Sequence, residues 1–347
     1  MDRRRFIGLS GVLLAGLSPA WGQGRPPKGV NGGGFYRFAL GRVAVTILSD
    51  GQSAPGPLLP NWGANPELQG EFRRTLQEHF LNPEATRNNF NPVLLDLGEA
   101  RLLVDTGRGT GAGGRLLAHL ELAGYAPEDI THVFLTHGHP DHIGGLVDGG
   151  GRPVFPQAVH LMGRVELDYW LKNPSQAVER ALLPLRDRIR PVEDGEEILP
   201  GVRAVASFGH TPGHMSLEAT SEGKTLFVFG DAAGHYLLSL RFPQAYLGFD
   251  MDKGEVVRTR ARLFKKVSEE KSLITAYHFP WPALGYIRPE GEGYAFVPAF
   301  FEFWGVCKNH AGGQGGGATL RPCSTGTTIW NAACGPNWRG ARCGRSP

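Results

Sequence analysis

Directly behind an apolar run, Thr131-His-Val-Phe-Leu-Thr136, the sequence reads His137-Gly-His139-Pro-Asp141-His142, which places three imidazoles and a carboxylate within six residues. That density is hard to explain as scaffold, and it fits a polar metal site built at the end of a buried strand. Alternate residues of an extended segment point the same way, so His137 and His139 can bind one metal while Asp141 and His142 turn toward another. By contrast, His79, His119, His132 and His160 stand singly in the sequence and read as surface or core side chains.

Sulfur takes no part in this site. The four cysteines, Cys307, Cys323, Cys334 and Cys343, all fall within the last 41 of the 347 residues, so any metal held by the rest of the chain must be bound by His and carboxylates. Charge is split in the same way. Residues 304–347 carry +5 and the first 24 carry +2, so the total of +3 leaves residues 25–303 at −4. An acidic body of this kind excludes nucleic acid as a partner, because phosphates need a basic stripe.

The two ends read differently from the body. Arg3-Arg4-Arg5 followed by the apolar run Phe6–Leu17 reads as a signal peptide over residues 1–22, similar to the twin-arginine export signal, with cleavage after Ala20 or Gly22. Export to the periplasm or extracellular space is therefore expected, with no stable membrane insertion afterwards, since no other apolar run approaches 18 residues. Residues 304–347 hold ten Gly, few aliphatics and no Cys-x-x-Cys pair, and read as a disordered or out-of-frame tail.

Residues 30–303 form the expected folded domain. Alternation predicts strands over Phe35–Leu40 and Val43–Leu48, a hairpin over 92–105, and strands at 131–136, 158–162, 202–207, 216–220, 225–229, 273–276, 285–287 and 294–297. Helices are expected around 71–80, 110–123, up to Trp170, and 254–267. About a dozen strands with four or five helices and no repeat argue for mixed α/β layers.

The remaining motifs follow in an order that resembles the metallo-β-lactamase fold superfamily over about residues 35–300. Leu103-Val-Asp105-Thr-Gly matches its first motif and the His137–His142 cluster its second. Thr211-Pro-Gly-His214, Phe229-Gly-Asp231 and Ala276-Tyr-His278 match the third to fifth. The resemblance implies a four-layer αββα sandwich with the metal site at the edge between two sheets. It further implies two divalent ions, Zn2+ foremost with Fe, Mn or Co as alternatives. His137, His139 and His214 would hold one ion and Asp141, His142 and His278 the other, with Asp231 bridging and Asp141 and Asp231 as catalytic carboxylates. Asp105, Thr136, His210, His235, Phe279 and Trp281 fall to the surroundings of the ligands or to the pocket, with His210, four residues before His214, open as the ligand in its place.

A bridging Asp implies a lactonase, thioesterase or phosphotriesterase subgroup rather than a true β-lactamase. Nearest is the exported group of methyl parathion hydrolase and acyl-homoserine-lactone lactonases. The implied activity is attack on an apolar ester, lactone or phosphotriester by a hydroxide shared between the metals. A glyoxalase-type thioesterase or β-lactamase-like hydrolase is the alternative enzyme, and a cell-envelope metal-binding or interaction protein the alternative without catalysis. The expected partner is a small-molecule substrate, and an aromatic insertion could serve a homodimer as readily as a pocket. One departure stands out: lactonases of this kind carry a Tyr three residues after the bridging Asp, where this chain has Gly234.

Overall fold

Period-two alternation in the strands sorts the apolar residues onto separate faces, and each face demands its own covering layer. In the computed structural model, which describes residues 34–301, seven strands form a first sheet in chain order. They are β1 (Phe35–Leu40), β2 (Val43–Leu48), β3 (Val93–Asp96), β4 (Arg101–Val104), β5 (His132–Leu135), β6 (Val159–Gly163) and β7 (Ile189–Val192). Pairing is antiparallel through β4 and parallel from β4 to β7.

The second sheet contains β8 (Glu197–Leu199), β9 (Val202–Ala206), β10 (Met215–Ser221), β11 (Lys224–Val228), β12 (Leu273–Thr275), β13 (Leu284–Glu290) and β14 (Gly293–Pro298). Only β11 and β12 run parallel. The helices are α1 (Gln69–Glu78), α2 (Leu116–Leu122), α3 (Pro140–Ile143), α4 (Arg164–Lys172), α5 (Leu238–Arg241) and α6 (Lys253–Glu269).

Leu102 and Val104 of β4 point inward and pack with Leu217, Leu226 and Val228 of the opposite sheet, whereas Leu103 between them points outward onto the α2 and α4 layer. Likewise Leu226 and Val228 face the inner core while Phe227 and Phe229 meet Leu263, Phe264 and Val267 of α6. Three sandwiched interfaces make four layers, the αββα architecture expected. A further cluster joins Trp62, Phe72 and Leu76 to Leu237, Phe242 and Leu247, so the segments around 58–76 and 237–247 build a small core of their own. Burial of each such Leu or Phe contributes about 1.5–3 kcal/mol.

The helix expected over 110–123 is shorter than its apolar pattern. A single turn at Thr110–Ala112 precedes it, and α2 restarts where buried Asp50 accepts the N–H groups of Arg115 (2.7 Å) and Leu116 (2.8 Å). Strands β7 and β8 were not legible, being three or four residues long, and Pro191 is tolerated in β7 because that strand is a sheet edge. Among the described residues no helix is long and apolar enough to cross a membrane. The chain divides into a unit over Met1–Ala299 and another over Phe300–Pro347. The signal-peptide reading of 1–22 and the tail reading of 304–347 lie outside the described residues.

Candidate metal centre

Five loops converge at one edge of the sandwich, each leaving the C-terminal end of a strand: Asp105 follows β4, His137 follows β5, His210 follows β9, Asp231 follows β11 and His278 follows β12. The two sheets are stitched together there. Met215 N–H donates to Thr136 O at 2.9 Å, and Asn91 Nδ2 donates to the carbonyls of Tyr277 (2.8 Å) and Phe279 (2.9 Å) on either side of His278.

His137 lies just past β5 and His139 is extended (φ −74°, ψ 153°), but the extended stretch ends at once. Pro140 opens α3 with His139 as N-cap, and this turn carries Asp141 and His142 around to a second position. The ligand atoms of His137, His139 and His210 all lie within 4.8 Å of one another, as do those of His137, His142 and Asp231, and those of Asp141, His142 and His278. Asp231 Oδ2 is 3.2 Å from both His210 Nε2 and His278 Nε2, and Asp231 Oδ1 is 3.5 Å from His142 Nε2. One carboxylate thus reaches both groups of imidazoles.

The buried His137 Nε2, His142 Nε2 and Asp231 Oδ1 make no hydrogen bond. Orphaned buried polar atoms cost about 1–3 kcal/mol each, and their convergence is what a bound cation resolves. Imidazole and carboxylate donors suit a borderline divalent ion, so the residues present fit the metal that the motifs imply.

Charge is shared accordingly. Burial and the neighbouring imidazoles hold His137 well below its ordinary value, and burial with His210 pushes His139 down to about 3. Burial also opposes protonation of His142, but Asp231, Asp105 and Asp141 outweigh it and hold His142 well above. His210 is raised to about 9 against burial by Asp231 and Asp250. Asp231 is buried, yet His278 and His142 beside it keep it well below the carboxylate range.

Four of the imidazoles, those of His137, His142, His210 and His278, have a partner on Nδ1 that sets their orientation. Asp105, at φ 63°, accepts from Thr136 N–H (2.8 Å) and Thr136 Oγ1 (2.9 Å) and lies 2.8 Å from His142 Nδ1. Thr136 Oγ1 also sits 3.0 Å from His137 Nδ1. His278 Nδ1 faces Asn89 O at 2.8 Å, and His210 Nδ1 faces Asp250 Oδ1 at 2.8 Å. The Tyr277 ring lies over His142 at 3.9 Å between centroids, and its hydroxyl donates to Asp141 O at 2.6 Å.

The resemblance gave His214 to the first triad, and the geometry gives that place to His210. His214 has both ring nitrogens engaged elsewhere: Nδ1 lies 2.7 Å from Ser207 Oγ, and Nε2 accepts the Asp231 N–H at 3.0 Å. Its work is to hold the backbone that presents Asp231. Three pocket candidates also fall away from the centre. His235 Nδ1 accepts the N–H groups of Leu237 and Leu238 ahead of α5, Phe279 is fully buried beside Phe296, and Trp281 packs against the core between the sheets. A Cβ at position 234 would lie 2.4 Å from Leu247 Cδ1, so a Tyr there would require the Leu247 side chain to move.

Two groups of residues around the centre were missed from sequence. Glu166 is fully buried: its Oε1 accepts from Gly138 N–H (2.9 Å) and Trp170 Nε1 (2.6 Å), and its Oε2 from Thr211 Oγ1 (2.8 Å) and Gly213 N–H (2.9 Å). One carboxylate therefore ties the His137–His139 loop to the His210 loop, and glycine at 138 and 213 lets both backbones approach α4. Asp250 and Arg260 behind His210 form the other. The signal in both cases was a charged residue on an apolar helix face, Glu166 beside Leu167 and Trp170, Arg260 between Val256 and Phe264.

Aromatic rings pack around the candidate ligands. Trp62 packs edge-on against His278 at 5.0 Å, Phe90 against the same ring at 5.5 Å, Trp170 against His139 at 6.1 Å, and Phe249 against Trp62 at 5.7 Å.

A strand-end cluster of His and Asp in an αββα sandwich defines a metal-dependent hydrolase. The Metallo-beta-lactamase superfamily model matches residues 86–274, and the chain belongs to that superfamily. It is 27% identical over 208 residues to an N-acyl homoserine lactonase of Bacillus cereus, covering 53% of this chain and 79% of that enzyme. Among solved structures it resembles AidC, a dizinc quorum-quenching lactonase in complex with the product N-hexanoyl-L-homoserine. That match has TM-score 0.72 and 26% identity, over 78% of this chain and 99% of that one. The hydrolase AbOPH is similar with TM-score 0.71, 26% identity and the same coverage.

Proposed function

We propose that the protein is a dinuclear zinc hydrolase acting on an apolar lactone or ester, with phosphotriesters as a secondary substrate class. The observation that carries this reading is Asp231, whose Oδ2 stands 3.2 Å from an imidazole of each group and so can hold two ions at one spacing. His137, His139 and His210 would hold one ion, Asp141, His142 and His278 the other. A pair of divalent ions supplies Lewis acidity and a water whose pKa falls from about 15.7 toward about 7.

The chain's own residues do the rest. Asp141 is the candidate ligand carboxylate with solvent access, its Oδ2 facing His278 (3.4 Å) and His142 (3.7 Å). Its Oδ1 can carry the proton of the attacking water to the leaving alkoxide as the acyl C–O bond breaks. Trp62, Phe90 and Phe249 exclude water and favour an apolar acyl group. Similarity to AidC and to the Bacillus cereus lactonase supports the lactone class. The test is turnover of an acyl lactone, a p-nitrophenyl ester and a phosphotriester by zinc-loaded protein, beside metal content by mass spectrometry. Two zinc per chain with the lactone preferred is expected; no hydrolysis of any of the three by loaded protein would overturn the reading.

A further inference from the structure

Arg260 is the largest fully buried side chain among the described residues, set on the buried stripe of α6 with Val256, Thr259, Leu263, Phe264 and Val267. Its Nε donates to Ala232 O at 2.8 Å, Nη1 to Ala245 O at 2.5 Å, and Nη2 to Asp250 Oδ2 at 3.1 Å. Asp250 is equally buried and takes the Leu247 N–H on that same oxygen at 2.6 Å, which leaves Oδ1 to face His210 Nδ1 at 2.8 Å.

Three segments meet on this one guanidinium: the residue that follows Asp231, the loop 245–250, and His210 through a carboxylate. Stability does not account for it, because a buried ion pair is commonly matched or bettered by apolar residues of the same volume. The other imidazole–carboxylate pair of the centre is fastened differently, Asp105 being held by the amide and hydroxyl of Thr136.

We propose that Arg260 is a positioning residue for the metal position bounded by His137, His139 and His210. By clamping Asp250 Oδ2 it fixes Oδ1 as acceptor for His210 Nδ1–H, which turns Nε2 toward the ion. By holding Ala232 O it keeps that imidazole in register with Asp231. A carboxylate free to rotate would leave His210 free to exchange tautomers and swing.

The proposal rests on the dinuclear reading, and the experiment separates the two. Full-length protein is stripped, reloaded with Zn2+ and titrated against a competing chelator to give stepwise dissociation constants. Arg260→Met should weaken one zinc equivalent by roughly 10–100-fold, the same equivalent that His210→Ala removes, and leave the other within about twofold. Arg260→Lys keeps the charge without reaching three acceptors and should fall between. Unchanged stepwise affinities in Arg260→Met, or equal weakening of both steps with a lowered melting temperature, would overturn the proposal. Asp250→Asn, nearly isosteric, must show the same selective loss, and it decides the matter if Arg260→Met does not fold. Should the wild-type chain take a single zinc, the dinuclear reading fails. Arg260 is then judged by whether that one affinity changes together with His210→Ala or stays unmoved.

Discussion

The first sheet delivers four candidate ligands from one loop of six residues, His137 to His142, whereas the second delivers His210, Asp231 and His278 from three loops, 21 and 47 residues apart. The first set is placed by local geometry, a strand end followed by a helix that Pro140 opens. The second has no such shared backbone, and each member leans on tertiary support: His210 on Asp250 and Arg260, Asp231 on His214, His278 on Asn89 and Asn91. Contiguity in sequence thus lets Asp105, Thr136 and Glu166 brace one shared loop, whereas each member of the second set needs a support of its own.

The largest expected effect tests the second set directly. His210→Ala should lose one metal equivalent and nearly all turnover. His214→Ala should keep both metals and lose about 1–3 kcal/mol of stability from the Asp231 N–H and Ser207 hydroxyl left without their partner. Metal analysis of the two variants side by side checks this, and loss of a metal from His214→Ala alone would restore His214 as ligand.

Glu166 joins the two sets, so its removal should reach both. A glutamine there would turn an amide NH2 toward two of the four donors that Glu166 now accepts, from Gly138, Trp170, Thr211 and Gly213. Glu166→Gln should weaken zinc by roughly 10–100-fold at the position of His137, His139 and His210. Chelator competition reads this; an unaltered affinity would reduce Glu166 to scaffold.

The same contrast explains what the sequence could tell. The His137–His142 loop and the strand pattern behind it were legible because periodicity and spacing are local signals. His210 against His214 was not, since Thr-Pro-Gly separates two histidines of equal chemistry and only the engagement of Ser207 and Asp231 decides between them. Phe279 read as pocket because it adjoins His278, yet backbone direction turned it into the α6 core. Glu166 and Arg260 lay hidden as breaks in apolar helix stripes, a signal that names a residue without naming its partner.

A smaller effect concerns the loop that follows Asp231. His235 is pushed down to about 3 by burial, and its Nδ1 must stay unprotonated to accept from Leu237 and Leu238. In the unfolded chain an imidazole titrates near 6.5, so the unfolded state takes the proton first. This contribution is therefore full above about pH 6.5 and is lost as pH falls toward 3. His235→Asn can cap the same amides without titrating. Its melting temperature should fall less steeply than wild type between about pH 6.5 and pH 4; an equal acid slope would show that the destabilisation lies elsewhere.

The smallest effect probes the aromatic contacts beside His278, to which Trp62 and Phe249 contribute. Phe249 is 45% exposed and touches Trp62 edge-on, so its ring contributes little to the core and much to the approach. Truncation should therefore separate binding from folding, which truncation of a braced ligand cannot do. At about 25 cal/mol per Å² of apolar surface, losing some 40–60 Å² of contact with an acyl chain amounts to roughly 1–1.5 kcal/mol. Phe249→Ala should thus raise KM several-fold for a long-chain lactone and leave kcat, metal content and the KM of a short-chain lactone near wild type. A uniform rise in KM across chain lengths would mean that Phe249 touches the part common to all the lactones, and would place the acyl chain away from the Trp62–Phe249 pair.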